Sequence, residues 1–417
     1  MSLGMFLKKT RKKKHVDAVG NNFSQPITTR IFFMKLTVNK ERIIDGLLKA
    51  AAIIPAKAGA AYLRSIWLKA EEGRLSLMAT DANIEFTGRY EADVQQGGLV
   101  GVQGRSFVDL VRQLPNGPLK LHLDESGRTL ILEQGRRSYK LPVNGEELFQ
   151  NFSAFPEGNA VTWSGDFLQD VLDRVVFCIS DDDSMDAIAC LYMKPTGNGR
   201  IDVCGLNGHQ FALTSFTHDE LAERLPQEGV LIQKKYLQDL KKWLGVDEIE
   251  LDITEKRLYL RTLDGAESLS LPRAGHQYPD YNVFLGRLES GEVSRLTLDR
   301  KEGMEALGRI LVFNTESDRC TYLDLGPGEA RLYAQGQDIG SASESLEVSY
   351  AGDISRIAFP TRNLMDVLGH FSSTSVTMTM TGAEGACGIR GEEDPDYTVI
   401  IMPMKVSETT YYSEEDV

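Results

Sequence analysis

Residues 36–48, LTVNKERIIDGLL, place a short strand directly before an amphipathic helix. Leu36, Thr37 and Val38 form the strand pattern, and Asn39 is a residue type that often caps a helix. The apolar residues that follow have the spacing of one helical face: Ile43, Ile44, Leu47 and Leu48. This order of strand, cap and helix predicts the entry into a small α+β unit.

The same unit occurs twice more in the chain. The second copy spans residues 161–176 with Ser164 as its cap, and the third spans residues 296–311 with Asp299 as its cap. The caps are separated by 125 residues (164 − 39) and 135 residues (299 − 164). This period is too long for a solenoid, so each copy is predicted to be a domain with its own core.

Each copy continues with the same later elements: a half-buried strand, a second helix and a hairpin. The second helices are predicted at residues 105–114, 235–244 and 361–371, and the hairpins at 119–133, 249–261 and 376–390. The fold class is therefore α+β, with three similar domains that each contain two helices and antiparallel sheets. We expect these domains at residues 34–153, 160–286 and 293–406, with linkers near 152–159 and 285–294.

Charge is distributed unevenly along the 417 residues, whose net charge is −14. Residues 1–33 contain seven Lys or Arg and one Asp, which gives +6 and leaves −20 for the rest of the chain. This basic segment is predicted to be a tag or another non-native, disordered extension outside the fold. Residues 407–417 contain four acids and are predicted to form a disordered acidic tail. An alternative is that the tail folds back onto a binding pocket.

Several function classes lack their sequence signatures. No apolar run approaches the roughly 18 residues of a membrane span, and the five cysteines include no C-x-x-C pair, which favours free thiols in a reducing cytoplasm. Nucleotide-binding, metalloprotease and serine-hydrolase motifs are missing from the sequence. Asp181, Asp182 and Asp183 could bind a cation, but an exposed acidic turn is favoured. We expect no active site, no cofactor and no metal.

Basic residues recur on the polar faces of equivalent predicted helices. If these helices share one surface, that surface attracts phosphates while the acidic remainder repels them, because the local field governs attraction. No base-reading motif is present, which favours sequence-independent contact with duplex DNA. The predicted DNA-facing residues are Lys40, Arg42, Lys49, Lys57, Arg105, Arg112, Lys234, Lys235, Lys241, Lys242, Arg300, Arg309 and Arg362.

Residues 397–406, YTVIIMPMKV, combine an apolar strand pattern with a proline between two methionines. Pro403 lacks a backbone donor, so it ends sheet pairing or confines it to an edge. One interpretation is a last core strand, since methionine is an ordinary core residue. The other is the edge of an adaptable apolar groove for partner peptides, because methionine-rich surfaces suit promiscuous binding.

Four segments together resemble a known family. They are MKLTVNKERI at residues 34–43, GLNGHQFAL at 205–213, YPDY at 278–281 and VIIMPM at 399–404. At these positions in a threefold repeat, the chain resembles the bacterial sliding clamp, the beta subunit of DNA polymerase III. The resemblance implies the DNA clamp fold, in which two chains pair head to tail as a homodimer and form a closed ring around duplex DNA.

The resemblance also implies a function and partners. A clamp tethers the replicative polymerase and confers processivity as a non-catalytic accessory subunit in the cytoplasm, associated with the nucleoid during replication. The polymerase III catalytic subunit, the clamp loader, other polymerases and repair proteins dock by short peptides into a pocket between domains 2 and 3. A scaffold that binds peptides but never DNA is the alternative from another class, and a metal hydrolase using Asp181, Asp182 and Asp183 is a third.

Carried over by position, the resemblance assigns two sets of residues. The dimer interface would contain Tyr139 and Leu141 on one side and Leu311 and Val312 on the other. The family commonly has Thr-Asp-Gly-His-Arg-Leu where this chain has LNGHQF at residues 206–211, so a charge is lost and a phenylalanine reshapes the apolar floor. His209 is expected to be a structural histidine with its hydrogen bonds satisfied; the alternative is a hydrogen-bonding role next to the pocket. The implied peptide pocket comprises Leu206, Gly208, His209, Gln210, Phe211, Pro279, Val283, Ile400, Ile401, Met402, Pro403 and Met404.

Overall fold

Among the residues that the structure describes, the first repeat contains two α-helices and nine strands. The computed structural model describes residues 34–55, 59–289, 291–316, 318–336 and 339–405. The elements of this repeat are β1 (Lys35–Asn39), α1 (Lys40–Ile53), β2 (Ser65–Glu71), β3 (Arg74–Thr80), β4 (Glu85–Glu91), β5 (Asp93–Gln96), β6 (Gly98–Gln103), α2 (Gly104–Gln113), β7 (Pro118–Leu123), β8 (Thr129–Gln134) and β9 (Arg137–Asn144).

The second repeat has a similar order of elements, but the short helix α4 stands where the first repeat has β5, and a further short helix, α6, follows the last strand. Its elements are β10 (Val161–Ser164), α3 (Gly165–Val175), β11 (Cys190–Gly197), β12 (Arg200–Leu206), β13 (Gln210–Thr217), α4 (Asp219–Arg224), β14 (Val230–Gln233), α5 (Lys234–Trp243), β15 (Glu248–Ile253), β16 (Arg257–Thr262), β17 (Glu267–Pro272) and α6 (Asn282–Glu289). Helix α6 occupies part of the segment predicted to be a linker, and that prediction is wrong for residues 285–289.

The third repeat again places one helix after its first strand and one before its final hairpin. Its elements are β18 (Ser294–Asp299), α7 (Arg300–Ile310), β19 (Cys320–Gly326), β20 (Glu329–Gly336), β21 (Gly340–Ala351), β22 (Arg356–Pro360), α8 (Thr361–Gly369), β23 (Ser375–Met380), β24 (Cys387–Gly391) and β25 (Tyr397–Ile401). The three-domain α+β fold class and the six repeated helices are thus confirmed.

Capping side chains mark where the first helices of the second and third repeats begin. The Ser164 hydroxyl accepts a hydrogen bond from the Phe167 amide, and a carboxylate oxygen of Asp299 accepts one from the Glu302 amide at 2.8 Å. Both bonds satisfy amides that the first helical turn leaves without a partner. Asn39 makes no side-chain capping bond, so that part of the prediction is wrong.

The sheets continue across the boundaries between repeats. Strand β17 of the second repeat pairs with β4 of the first, with Leu269 opposite Phe86. Strand β25 of the third repeat pairs with β13 of the second, with Ile400 opposite Phe211. In both cases the last strand of one repeat joins the third long strand of the preceding repeat. All these pairings are antiparallel, so one type of junction is used twice.

Buried polar clusters hold the first junction together. The Tyr90 hydroxyl and the Lys49 ammonium donate to the two carboxylate oxygens of Glu267 at 2.7 and 2.8 Å. Glu267 is only 8% exposed, and Lys49 also pairs with Asp45. Because these contacts join α1 and β4 to β17, they fix the first repeat against the second.

The second junction has a similar cluster. The Arg174 guanidinium pairs with Asp394 at 3.3 Å and lies over the Tyr397 ring, whose hydroxyl donates to the Arg174 carbonyl. Asp394 also accepts from the amide and hydroxyl of Ser373. Burial raises the pKa of Asp394, but these hydrogen bonds outweigh it and hold the pKa below its usual range.

Candidate functional site

The six repeated helices form a continuous layer. Within repeats, α1 contacts α2, α3 contacts α5, and α7 contacts α8. Between repeats, α1 contacts α5, and the Phe177 ring that follows α3 stacks on the His370 ring that follows α8, with centroids 3.9 Å apart. The helices therefore share one surface, as the argument from charge required, and the sheets lie behind them.

The helix layer is basic although the chain is acidic. The six helices contain 14 Lys or Arg and ten Asp or Glu, which gives +4 within a chain of −14. The charge is uneven along the layer, because α5 carries +3 and α3 carries −2. Any phosphate backbone that follows this surface meets its strongest attraction at α5.

Seven of the thirteen predicted DNA-facing residues form ion pairs with acids of the same chain. Most of these pairs are exposed, and exposed pairs contribute little, so a phosphate can replace the carboxylate at small cost. The pairs are Arg42 with Glu91, Lys49 with Asp45 and Glu267, Arg112 with Asp109, Lys234 with Asp181, Lys241 with Asp173, Lys242 with Asp239, and Arg309 with Glu344.

For two of the predicted DNA-facing residues, Lys40 and Lys49, that assignment is wrong. Lys40 is 8% exposed, and its ammonium donates to the carbonyls of Arg112 and Leu114, where it caps the end of α2. Lys49 is held in the junction cluster with Glu267, where its side chain is 20% exposed. Burial and specific partners therefore remove both ammonium groups from the exposed face. Lys57 lies outside the described residues.

The other predicted DNA-facing residues remain candidates. Arg300 is partly engaged, since its guanidinium donates to the Ser373 carbonyl at 2.7 Å. Arg105, Lys235 and Arg362 are exposed and form no ion pair with an acid in the described part of the chain. These three and Lys301 of α7, which is likewise exposed and has no ion pair in the described part of the chain, are the cations of the layer most available to an external phosphate.

A row of residues on the second junction sheet corresponds to the predicted peptide pocket. Leu206 of β12 lies opposite Phe211 of β13, Phe211 lies opposite Ile400 of β25, and Ile400 lies opposite Gly388 of β24. These four residues are called the outer row. Phe211 and Ile400 belong to an apolar cluster separate from the main core, whereas the neighbouring Ile401 belongs to the main core. Alternation along a strand explains this division between the two faces.

The structure brings only some of the predicted pocket residues to the surface. Phe211, Ile400 and Gln210 are 2%, 5% and 6% exposed, respectively. His209 is exposed, and no hydrogen bond of its imidazole is among those of the described residues, so its predicted hydrogen-bonded role is not supported. Pro279 and Pro403 are half-buried, Gly208 is exposed, and the exposed apolar members are Val283, Met402 and Met404.

The segment between the second and third repeats covers the outer row. Tyr281 stacks on Phe211 with ring centroids 5.9 Å apart, and Phe284 contacts the same ring edge to face at 5.8 Å. Leu288 packs so closely on Gly388 that an added Cβ there would lie 2.3 Å from the leucine Cδ1. Helix α6 thus lies across the row, and the pocket expected from sequence is filled by the chain's own side chains.

These covering residues are not among the predicted pocket residues, although the sequence contains a signal for them. Tyr281, Phe284, Leu285 and Leu288 have the i, i+3, i+4, i+7 spacing of one helical face. The region was interpreted as a linker because glycine and charged residues surround the stripe. Val283, the residue assigned to the pocket, is 49% exposed, and its neighbour Phe284 contacts the floor instead.

The predicted dimer residues lie on two separate parts of the chain. Tyr139 and Leu141 are half-buried on β9, which pairs along its length with β8 and only at its end with β6. Leu311 and Val312 follow α7, and Val312 is 71% exposed. Val312 comes two residues after its helix, as Phe177 does after α3, and Phe177 contacts the next repeat.

The acidic turn at residues 181–183 is engaged with its own surroundings. Asp181 pairs with Lys234 at 2.7 Å, and Asp182 accepts hydrogen bonds from the amide and hydroxyl of Ser184. Across the described residues, no group of three or more His, Cys, Asp or Glu is placed to hold a metal ion. All five cysteines are buried, and none forms a disulfide, which confirms that prediction.

The helices of the described chain include none that is both long and apolar enough to cross a membrane.

Two family models match the chain. The DNA polymerase III beta subunit N-terminal domain matches residues 34–153, and the C-terminal domain of the same subunit matches residues 290–405. Together they cover more than half of the chain. Among curated proteins, the beta sliding clamp of Caulobacter vibrioides is 24% identical over 377 residues, with 89% of this chain and 100% of the relative covered. That of Pseudomonas aeruginosa is 23% identical over 374 residues, with the same coverage.

Solved structures show the same fold. The beta sliding clamp of Caulobacter crescentus superposes with a TM-score of 0.83 at 24% identity, covering 90% of this chain and all of that one. The sliding clamp of Bartonella birtlesii, solved with bound griselimycin, gives a TM-score of 0.82 at 22% identity over 90% of this chain and all of that one. The likeness extends from the first repeat to the third.

Proposed function

Because the chain belongs to the family of bacterial DNA polymerase III beta subunits, we propose that two copies form a ring that encircles duplex DNA. The ring tethers the replicative polymerase and so confers processivity. It acts without catalysing a reaction, as an accessory subunit in the cytoplasm, associated with the nucleoid during replication. Its domains are residues 34–153, 160–286 and 293–406.

The observation that carries this proposal is the repeated junction between domains. Each junction uses the last strand of one repeat and the third long strand of the repeat before it. Strand β9 of the first repeat and the first half of β21 in the third lack such a partner in the described chain. A second copy, placed head to tail, supplies both missing partners, and twofold symmetry closes the ring while covering these two exposed edges.

The sequence supports Tyr139 as the central residue of that third junction. Leu269 and Val399 occupy the matching positions of the two intrachain junctions, since both belong to the main core and lie opposite Phe86 and Ala212 of the preceding repeat. Each also pairs with a buried residue of its own hairpin, Leu260 or Ile389, and Tyr139 pairs with Leu132 in the same way. Tyr139 and Leu141 would then face the partner's β21, beside Leu311 and Val312.

The helix layer would line the hole of the ring. Each subunit contributes +4 from its six helices, so twelve helices present a basic surface inside an acidic exterior. Encirclement replaces affinity with topology, so weak, sequence-independent phosphate contacts suffice and still permit sliding. Exposed, exchangeable ion pairs on α5 suit this role, because they offer cations without fixing the duplex in one place.

Partner peptides would dock on the outer face of the second junction. The outer row, together with the exposed Met402 and Met404 that follow β25, provides the apolar surface. The partners are the polymerase III catalytic subunit, the clamp loader, and other polymerases and repair proteins that carry short clamp-binding peptides. Methionine side chains adapt to different partners because they are flexible and polarisable.

Two measurements test the proposal together. The mass in solution should be twice the 46.3 kDa of one chain. After loading, the protein should remain on a nicked circular duplex and be lost when the circle is cut once, since only a closed ring distinguishes these substrates. A monomer at micromolar concentration, or equal retention on circular and linear DNA, would refute encirclement and favour the peptide-binding scaffold.

A further inference from the structure

Helix α6 occupies the surface that a docking peptide needs. Phe211 and Ile400, the centre of the outer row, are 2% and 5% exposed with α6 in place. Phe284 of α6 contacts the Phe211 ring at 5.8 Å, and Leu288 of α6 contacts Gly388 at the end of the row. We propose that α6 is a displaceable lid, and that a partner peptide binds the outer row by replacing Phe284 and Leu288. This inference rests on the proposed docking function.

The lid is anchored firmly at its start. The Tyr281 hydroxyl donates to Asp202 at 2.8 Å, and the same carboxylate accepts from the Ser215 hydroxyl at 2.6 Å. Tyr278, three residues earlier, stacks on Tyr192 with ring centroids 4.5 Å apart. These contacts fix the segment that precedes α6, so displacement would pivot near residue 281 rather than release the whole connector.

The helix itself is held less strongly. It has eight residues, which is too short for independent stability in water, and Gly286 at its centre lowers its helix propensity. Only Leu288 of α6 is buried, while Val283 is 49% exposed. Its position therefore depends mainly on the apolar contacts of Phe284, Leu285 and Leu288. Of these, Phe284 and Leu288 contact the outer row, and they are the side chains that a competing ligand would replace.

The chemistry of the lid defines the ligand. Phe284 supplies an aromatic ring and Leu288 a branched aliphatic group to the outer row. A peptide that displaces α6 must supply one side chain of each kind to recover the same apolar contacts. Met402 lies next to the row, since its amide donates to the His209 carbonyl at 2.9 Å, and its exposed thioether can contact the incoming chain.

Two substitutions loosen the lid from opposite sides. Phe284→Ala removes the ring that covers Phe211, and Gly388→Ala places a methyl group 2.3 Å from the Leu288 Cδ1, so the leucine must move away. The probe is a fluorescein-labelled synthetic peptide with one phenylalanine and one leucine in an otherwise polar sequence. If the closed lid lowers the fraction of molecules that can bind the peptide, both variants should bind the peptide more tightly than the wild type does, by about tenfold. Leu263→Ala, at a turn where the side chain is 53% exposed, is the matched control.

The outcomes separate the lid from the docking site. Unchanged or weaker peptide binding in both variants, with dimer mass and retention on the nicked circle preserved, would refute the lid and leave docking intact. If the wild type and both variants fail to bind the peptide, docking on the outer row and the lid are both wrong. In the wild type, peptide addition should also increase hydrogen exchange at the amides of residues 284–288, and unchanged protection with peptide bound would overturn the proposal.

Discussion

Reversing two charges on α5 should cancel the basic character of the whole helix layer. Lys235 and Lys242 are both exposed, and Lys242 has only a loose pair with Asp239 at 3.4 Å. The double variant Lys235→Glu/Lys242→Glu changes the charge by −4, so the six helices go from +4 to zero in each subunit. The ring therefore loses its entire net positive lining without any change in the core.

The salt dependence of binding gives the magnitude. Each phosphate contact contributes about −0.9 to the slope of log K against log salt on duplex DNA. The two lysines occur twice in the dimer, so up to four contacts are lost, and the slope should become less negative by about 3.6. Fluorescence anisotropy of a short labelled duplex, measured at several potassium chloride concentrations, reports this slope directly.

The control variant carries the same charge change elsewhere. Lys69 on β2 and Lys256 in the turn before β16 lie outside the helix layer. If local field governs binding, Lys69→Glu/Lys256→Glu should keep nearly the wild-type slope. Equal losses in both double variants would mean that net charge, not the helix layer, controls binding. An unchanged slope in the α5 variant would refute the assignment of α5 as the main DNA contact.

Three further variants test the junctions. Glu267→Ala should lower the free energy of unfolding by about 1–3 kcal/mol, measured in urea, because the Tyr90 hydroxyl loses its buried acceptor. An unchanged midpoint of the urea transition would contradict this prediction. Val312→Asp should raise the dissociation constant of the dimer at least tenfold, measured by sedimentation, since burying an unpaired charge costs more than about 1.4 kcal/mol. Val312→Ala is the control. Equal dissociation constants for the two variants would exclude Val312 from the interface. Burial lowers the pKa of His370, whose ring stacks on Phe177. As pH falls below about 6.5, the His370 imidazole is protonated in the unfolded chain before it is protonated in the folded one, so the free energy of unfolding should decrease. His370→Gln should remove that pH dependence, and a pH profile identical to that of the wild type would refute the prediction.

The repeat and its helices were predictable because their signals are local. A cap, an apolar stripe and a glycine-bounded strand each depend on a few neighbouring residues. Ser164 and Asp299 form the expected caps, and the second helices begin within one residue of the predicted positions. The pattern occurs three times at similar spacing, so a chance match is not a sufficient explanation for it, although each copy alone is a weak signal.

The partners of charged side chains were not predictable in the same way. Lys40 and Lys49 fit the basic-face pattern as well as Arg105 does, yet the fold buries one under α2 and pairs the other with Glu267, 218 residues away. Such contacts depend on tertiary placement that sequence periodicity does not encode. The glycine and charged residues around α6 predicted a linker, although the apolar residues that begin at Tyr281 have helical spacing.

Strand β25, which directly precedes Met402, connects the fold to the docking site. Its Ile401 faces the main core, its Ile400 faces the outer row, and the pairing of Ile400 with Phe211 joins the second and third domains. A substitution that reshapes the row at either position would also disturb the junction that closes the ring. Substitutions in α6 can therefore change peptide preference with the smallest loss of stability, because Phe284 covers the row without belonging to the strand pair.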